Sequence, residues 1–539
     1  MPPLVLGGDV MTRNEESLTG WRFVLFNAAL AGGNIIALSN IPGYTVLASY
    51  AAGDLQGVTL SFGTWATTDH IMGIVLGLPF ARWLSGRYGD YQVYVTAFIA
   101  YVIFSLACAW SETIWFFVAA RFLLGLAGGV ILPVGQGLVL KEIPEKYRPY
   151  GVAWWGVLSM TPFTLGVFMG GFWAEYFNWR MLFFSNIFLG LPIAGVVGAL
   201  LYGRPYARRI TRFDTIGFLL IAIVLVGTQT ILNQGNDFDW LGSTFLSLVL
   251  VAVVIALPTF IIWELGERYP VLDIRLFGHR NYAVATFCSV VGFLFILGTL
   301  SVLVGQLQLL LGYTSSGAGV VYLLMALLAV PLASVVHLLV RHIDLRLLAS
   351  LNFLGFSVTL TWLGLFDKFA SFDQISAPMI FFGFFLATFF APLAAIAIQG
   401  LAGPQLMRAA EELAMLRTAA GAFGIALQSV VQFRRTPFHQ LDLADQFGGR
   451  RFPSLDLLQQ LTDKLERFGM SESVARAQVA RIIRQQALLM GLDDAFLLGA
   501  LVFFGLAIFV WLARGVPPKK PEPKPSLELL QAEELMEQP

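Results

Sequence analysis

Residues 63–89, GTWATTDHIMGIVLGLPFARWLSGRYG, decide the fold. Up to Ala81 the stretch is apolar enough and long enough to cross a bilayer as a helix, because about 18 to 25 residues rising about 1.5 Å each span a hydrocarbon core of roughly 30 Å. It carries one acid, Asp69, next to His70, and it closes on Arg82, Arg87 and Gly89. The arginines suit the C-terminal end of a helix, and the glycine permits a tight turn.

Stretches of the same kind recur along the whole chain. We read fourteen spans, at 22–44, 61–81, 92–110, 113–140, 151–174, 181–202, 214–233, 243–263, 283–304, 317–340, 347–366, 377–400, 409–432 and 493–513. The expected fold is therefore an all-α polytopic membrane protein. A closed barrel would show alternating segments of about ten residues instead. Composition agrees: 57% of the 539 residues are hydrophobic and 13% charged, with a mean hydropathy of +0.73, beyond what a single aqueous core can bury. A net charge of zero offers no electrostatic footprint for nucleic acid. There is no phosphate loop, zinc-ligand spacing or serine elbow, so neither an enzyme nor a cofactor or metal is implied. Cys108 and Cys288 both fall inside spans, as small packing residues, and no disulfide is expected. The first twenty residues lack the basic start and apolar run of a cleavable signal, so the first span is expected to direct insertion; Met11 is an alternative start.

Charge sets the orientation. Loops after even-numbered spans hold Arg82, Arg87, Lys141, Lys146, Arg148, Arg204, Arg208, Arg209, Arg212, Arg268, Arg275, Arg280, Arg341 and Arg346, whereas the short loops opposite hold only Arg180 and Lys368. The even loops and both termini are thus expected in the cytoplasm. Residues 1–21 form a cytoplasmic segment and 515–539 a disordered, Pro-rich cytoplasmic tail. The outer loop 433–490 is long, and in it Leu458, Leu461, Leu465 and Phe468 recur at helical spacing after Ser454, with Gly469 ending the run. A second helix is expected from about Ser473, with Val479, Ile482 and Ile483 on one side. These helices either cover each other over the mouth of the bundle or dock a periplasmic partner.

Several pieces carry a family resemblance: the opening stretch, RFLLG at 121–125, the glycines Gly166, Gly170 and Gly171, NWRMLFFSN at 178–186, RFDTIGF at 212–218, NQGNDFDWLGS at 233–243, VLDIRLFGHRNY at 271–282 and LLLGYTSSGAG at 309–319. Together they resemble the fourteen-span drug:proton antiporter branch of the major facilitator superfamily, of the EmrB/QacA type. The resemblance implies two six-helix bundles, 22–202 and 266–514, with two inserted helices at 203–265 and substrate bound between bundles that rock. It also implies an inner-membrane pump working with a periplasmic adaptor (membrane fusion protein) and an outer-membrane channel. The chain departs from the family pattern at Arg82, Gly86, Leu124 and Val167, and its first span has no acid.

Asp69 is the best remaining candidate for proton coupling. It lies roughly 10 to 13 Å from the outer end of its span and Arg121 about 11 Å from the end of the fourth, so the two can meet at one level. Three readings stay open: a static bridge, direct coupling, or Asp69 facing water in the outer leaflet. Candidates for a substrate cavity are Asn34, Asn40, His70, Trp154, Met160, Phe163, Gln306 and Arg417; aromatic and thioether surfaces bind bulky apolar compounds without strict geometry. Arg82, Arg87 and Gly89 form a candidate conformational loop, and Gly125, Gly166, Gly170 and Gly171 are candidates for close helix packing. Glu411 and Glu412 read as interfacial. The reading reached is proton-driven export (antiport) of amphipathic small molecules or drugs across the cell inner membrane. The alternatives are a uniporter or importer of a specific metabolite, and a non-transporting membrane sensor or assembly subunit.

Overall fold

The computed structural model of the chain describes residues 18, 20–55, 59–143, 148–203, 212–366, 370–447 and 471–515, with isolated residues at 460, 463–464 and 467–468. No strand occurs among the described residues. In chain order the helices are α1 (Gly20–Asp54), α2 (Leu60–Tyr88), α3 (Asp90–Ala109), α4 (Ile114–Glu142), α5 (Arg148–Tyr176) and α6 (Met181–Leu201). An inserted pair follows, α7 (Thr215–Gln234) and α8 (Thr244–Gly266). The remainder are α9 (Arg280–Gly305), α10 (Ser315–Leu323), α11 (Ala326–His342), α12 (Leu345–Leu363), α13 (Phe372–Ala397), α14 (Pro404–Phe447) and α15 (Glu472–Phe509).

Polar residues in the connections start many of these helices. Asp214 accepts from Gly217 N–H at 2.9 Å ahead of α7, and Thr314 accepts from Gly317 N–H at 3.1 Å ahead of α10. Ser371 and Gln374 form a reciprocal capping box on α13. Gly89 joins α2 to α3 at φ 88°, ψ 148°, a conformation open essentially to glycine alone.

Thirteen helical stretches among the described residues are long and apolar enough to cross a membrane, α10 and α11 together supplying one of them, Ser315–Val336. α2 is a further long helix, of 29 residues. It is less apolar because its middle carries Thr67, Thr68, Asp69 and His70, which neighbouring helices bury away from lipid. α1 to α6 form one group and α9 to α15 another, with α5 lying against α10 and α11, and α2 against α14, across the seam. α7 rests on both groups: Asn233 Nδ2 donates to Thr68 Oγ1 of α2 at 2.9 Å, and Gln229 Nε2 to the Ala422 carbonyl of α14 at 3.3 Å.

The segment read from sequence as an outer loop at 433–490 is largely helix. α14 continues to Phe447 and α15 begins at Glu472 because the two pack on each other: Arg435 pairs with Asp494, His439 Nε2 lies 2.7 Å from the same carboxylate, and Thr436 packs on Gly491. At 44 residues α14 is about 66 Å long, more than twice a hydrocarbon core. Val479 is buried, but Ile482 is exposed and Ile483 half-buried, so the three do not share one covered face. Phe468 is exposed; Ser454, Leu458, Leu461, Leu465 and Gly469 lie outside the described residues, as do 1–17 and 516–539.

Candidate functional site

A cleft opens between the two groups of helices. It is lined by Ile41, Pro42 and Thr45 of α1, Phe163 and Val167 of α5, Leu297, Leu300, Ser301 and Val304 of α9, Tyr322 of α10 and Ile425 of α14. Its walls are apolar, and two of its hydroxyls are already bonded within the protein: Thr45 Oγ1 donates to the Ile41 carbonyl at 3.0 Å and Tyr322 to the Leu300 carbonyl. Such a surface holds a guest by burial and shape rather than by directed polar contacts.

The helix groups touch at both ends of this cleft. At the odd-loop end, Gln308 Nε2 donates to Val46 O at 3.4 Å, Ser315 Oγ to Tyr50 Oη at 2.9 Å, and Ser316 N–H to Glu175 at 3.0 Å. A Cβ on Gly171 would collide with the Ser315 carbonyl, so α5 and α10 approach there to backbone contact. At the arginine-rich end, Arg82 of α2 meets Glu411 of α14 at 2.8 Å. Arg87 lies over Trp83 and Tyr88, at 5.8 and 5.7 Å from the ring centres.

Asp69 and Arg121 do not meet. Arg121 is fully buried: its Nε donates to Ala66 O at 3.2 Å and its Nη2 to Asn40 O at 3.4 Å, and its guanidinium sits 4.4 Å from the Tyr44 ring centre and 5.6 Å from that of Phe183. Asp69 is also buried, beside Trp65 one turn earlier, with Oδ1 unpartnered. Equal depth put the two at one level, but the azimuth of α2 turns His70 toward α4 instead: His70 Nδ1 lies 3.1 Å from the Arg121 carbonyl. Gly125 sits at the same crossing, where a Cβ would strike the His70 carbonyl.

Of the residues proposed from sequence for the cavity, Phe163 lines the cleft. Asn34 instead ties α1 to α5 through the Leu158 carbonyl at 3.1 Å. Asn40 belongs to a buried network with Tyr101 (2.6 Å) and Asn186 (3.1 Å), which Ser105 completes. Met160 and Gln306 are buried outside the cleft lining, as is His70. The Trp154 side chain lies outside those described. Arg417 is not part of the lining either; its guanidinium lies 4.4 Å from the Phe390 ring centre and 5.7 Å from that of Phe293. Gly166 packs against Pro42 and Ser39, and Gly170 against the Gly43 backbone, which brings α5 onto α1. Glu412 is not interfacial: it is buried, accepting from Asp273 N–H at 2.7 Å and Tyr282 Oη at 3.2 Å, because the loop after α8 folds over it. Thr45, Ser301 and Tyr322 were missed, and their sequence neighbourhoods differ little from any other apolar span.

A multi-pass helical bundle with an apolar cleft between two halves, bridged at both of its ends, is the architecture of a membrane transporter rather than an enzyme. The chain belongs to the Major Facilitator Superfamily, whose family pattern matches residues 24–430. It is 27% identical over 502 residues to the multidrug export protein EmrB of Haemophilus influenzae, covering 93% of this chain and 97% of that one. It is 30% identical over 467 residues to the fatty acid resistance protein FarB of Neisseria gonorrhoeae, covering 87% and 91%. Among solved structures it resembles the POT family transporter PepTSo, with a TM-score of 0.58 at 13% identity over 92% of this chain and 100% of that one. It also resembles the proton:xylose symporter XylE, with a TM-score of 0.53 at 14% identity over 95% and 98%. At these identities the structures speak for the fold alone.

Proposed function

We propose that this chain is a proton-driven antiporter that exports amphipathic small molecules across a cell inner membrane, with both termini in the cytoplasm. The cleft carries this reading: apolar walls, bonded hydroxyls and bridges at both ends suit a guest of variable shape exposed to one side at a time. The names of the relatives above, a multidrug export protein and a fatty acid resistance protein, support the same substrate class. Proton coupling is assigned to Asp69, a buried acid in α2 with no ion-pair partner among the described residues. Arg121 holds the surrounding α1, α2 and α4 segments in place. The α14 and α15 extensions are read as the surface for a periplasmic adaptor, and through it an outer-membrane channel, since helices of this length must project beyond the bilayer.

The experiment is uptake of a fluorescent amphipathic dye into inside-out proteoliposomes under an imposed proton gradient, comparing the intact chain with Asp69→Asn. Gradient-dependent accumulation that is lost in D69N supports the proposal. Flux indifferent to the gradient indicates a uniporter, and no flux with any dye indicates a sensor or assembly subunit.

A further inference from the structure

Arg417 sits within the bundle, in α14. Among the described residues no carboxylate lies within ion-pair distance of its guanidinium, and its Nε is buried without a hydrogen-bond partner. Its close neighbours are neutral rings: Phe390 of α13 at 4.4 Å and Phe293 of α9 at 5.7 Å. Ring faces recover only part of what a guanidinium loses on leaving water. A planar fork of donors left unused beside an apolar surface matches a carboxylate, which it can hold through two parallel hydrogen bonds.

The rings join this cation to the cleft. Phe293 stacks edge-on against Phe163 at 6.4 Å, and Phe163 lines the cleft together with Leu297 and Leu300, which follow Phe293 along α9. Gly421, one turn beyond Arg417, lets α14 close onto Phe293 and Leu297. Ile425, two turns beyond Arg417, lies about 12 Å along the helix axis and forms part of the lining. A charged end and an apolar trough are thus set in series.

We infer that Arg417 is the headgroup-binding residue of this cleft, and that the cleft takes amphiphiles ending in a carboxylate, with the apolar body lying along α9 toward Tyr322. This rests on the cleft being the substrate site, as proposed above. Arg417 is then a specificity-determining residue, separating acids from their neutral esters.

The test is equilibrium binding, without any gradient, of dansylated undecanoic acid and of its methyl ester to the full chain in nanodiscs. The intact protein should bind the acid at least about tenfold more tightly than the ester, the scale of one charge-assisted bidentate contact. Arg417→Gln should bring that ratio close to one while leaving ester affinity unchanged. Arg417→Lys keeps the charge but not the fork, so it should lower the preference several-fold, and it supplies the answer should R417Q fail to fold. Phe163→Ala should weaken acid and ester alike, locating both probes in this cleft. An acid preference that survives both Arg417 substitutions, or its absence from the intact protein, overturns the inference, as does F163A changing neither probe. Failure of the exporter reading looks different: the acid binds through Arg417, yet no gradient moves it.

Discussion

Arg82 of α2 and Glu411 of α14 join the two halves of the molecule, Nη1 to Oε2, at 2.8 Å. Their side chains are 49% and 44% exposed, so the pair contributes little to global stability, at most about 1 kcal/mol. Its consequence is conformational, because it closes the arginine-rich end of the cleft only while the halves are together there. Reversing one charge should bias the molecule away from this arrangement. Arg82→Glu is expected to slow dye transport several-fold with a melting temperature near that of the intact chain, and the swap R82E/E411R to restore the rate. Equal rates in the single and double variants would remove the pair from the transport cycle.

Asp69 and Arg121 should respond to substitution with opposite signs. Asp69 Oδ1 has no partner, so Asp69→Asn keeps the shape, removes a buried acid and should leave the melting temperature unchanged or raised. Arg121 bonds two main-chain carbonyls and lies over Tyr44. Arg121→Met removes those two charge-assisted hydrogen bonds, at about 1.5 to 3 kcal/mol each, and should lower the melting temperature by several degrees. Thermal unfolding in one detergent compares the two directly; parallel losses would point to a shared bridge instead.

Gly125 and Gly89 test two different uses of glycine. Gly125→Ala puts a methyl group into the His70 carbonyl and must push α4 from α2, costing about 1 to 3 kcal/mol by overpacking. Gly89→Ala must hold φ 88°, ψ 148°, at a cost of about 1 to 3 kcal/mol in the backbone. Proteolysis in detergent should then separate them. G89A is expected to expose the turn between α2 and α3, and G125A to loosen the whole six-helix group.

Asp344, in the turn between α11 and α12, is held below the usual carboxylate range chiefly by its hydrogen bond to Arg346. A depressed acid stabilises the fold above its unfolded value, near 3.8, and loses that contribution as pH falls through the folded value. Asp344→Asn should therefore be slightly less stable than the parent at neutral pH, by under about 1 kcal/mol given the exposure of the pair. The difference should shrink as pH is lowered below about 4. A gap that widens in acid would contradict the assignment.

Much of this molecule was legible in one dimension. Span length and mean hydropathy set the class, the asymmetry of basic residues suggested an orientation, and Gly89 marked a turn that only glycine makes easily. Phe163 was named because aromatic and thioether surfaces suit bulky apolar compounds, and it lines the apolar cleft. The continuation of α14 through Pro437 to Phe447 was not legible, because its outer part is polar and charged and draws its support from α15. Nor was the burial of Glu412, which depends on a loop more than a hundred residues away in sequence.

What the sequence determined by itself was the kind of element, since this follows from length and apolarity. What only the tertiary structure decided was which way each helix faces. In a soluble protein an apolar stripe reveals that azimuth, but here lipid-facing and core-facing sides are both apolar, so no stripe distinguishes them. Asp69 and Arg121 stand on adjoining helices and do not meet, whereas Arg417 of α14 and Phe163 of α5 are linked through Phe293 of α9.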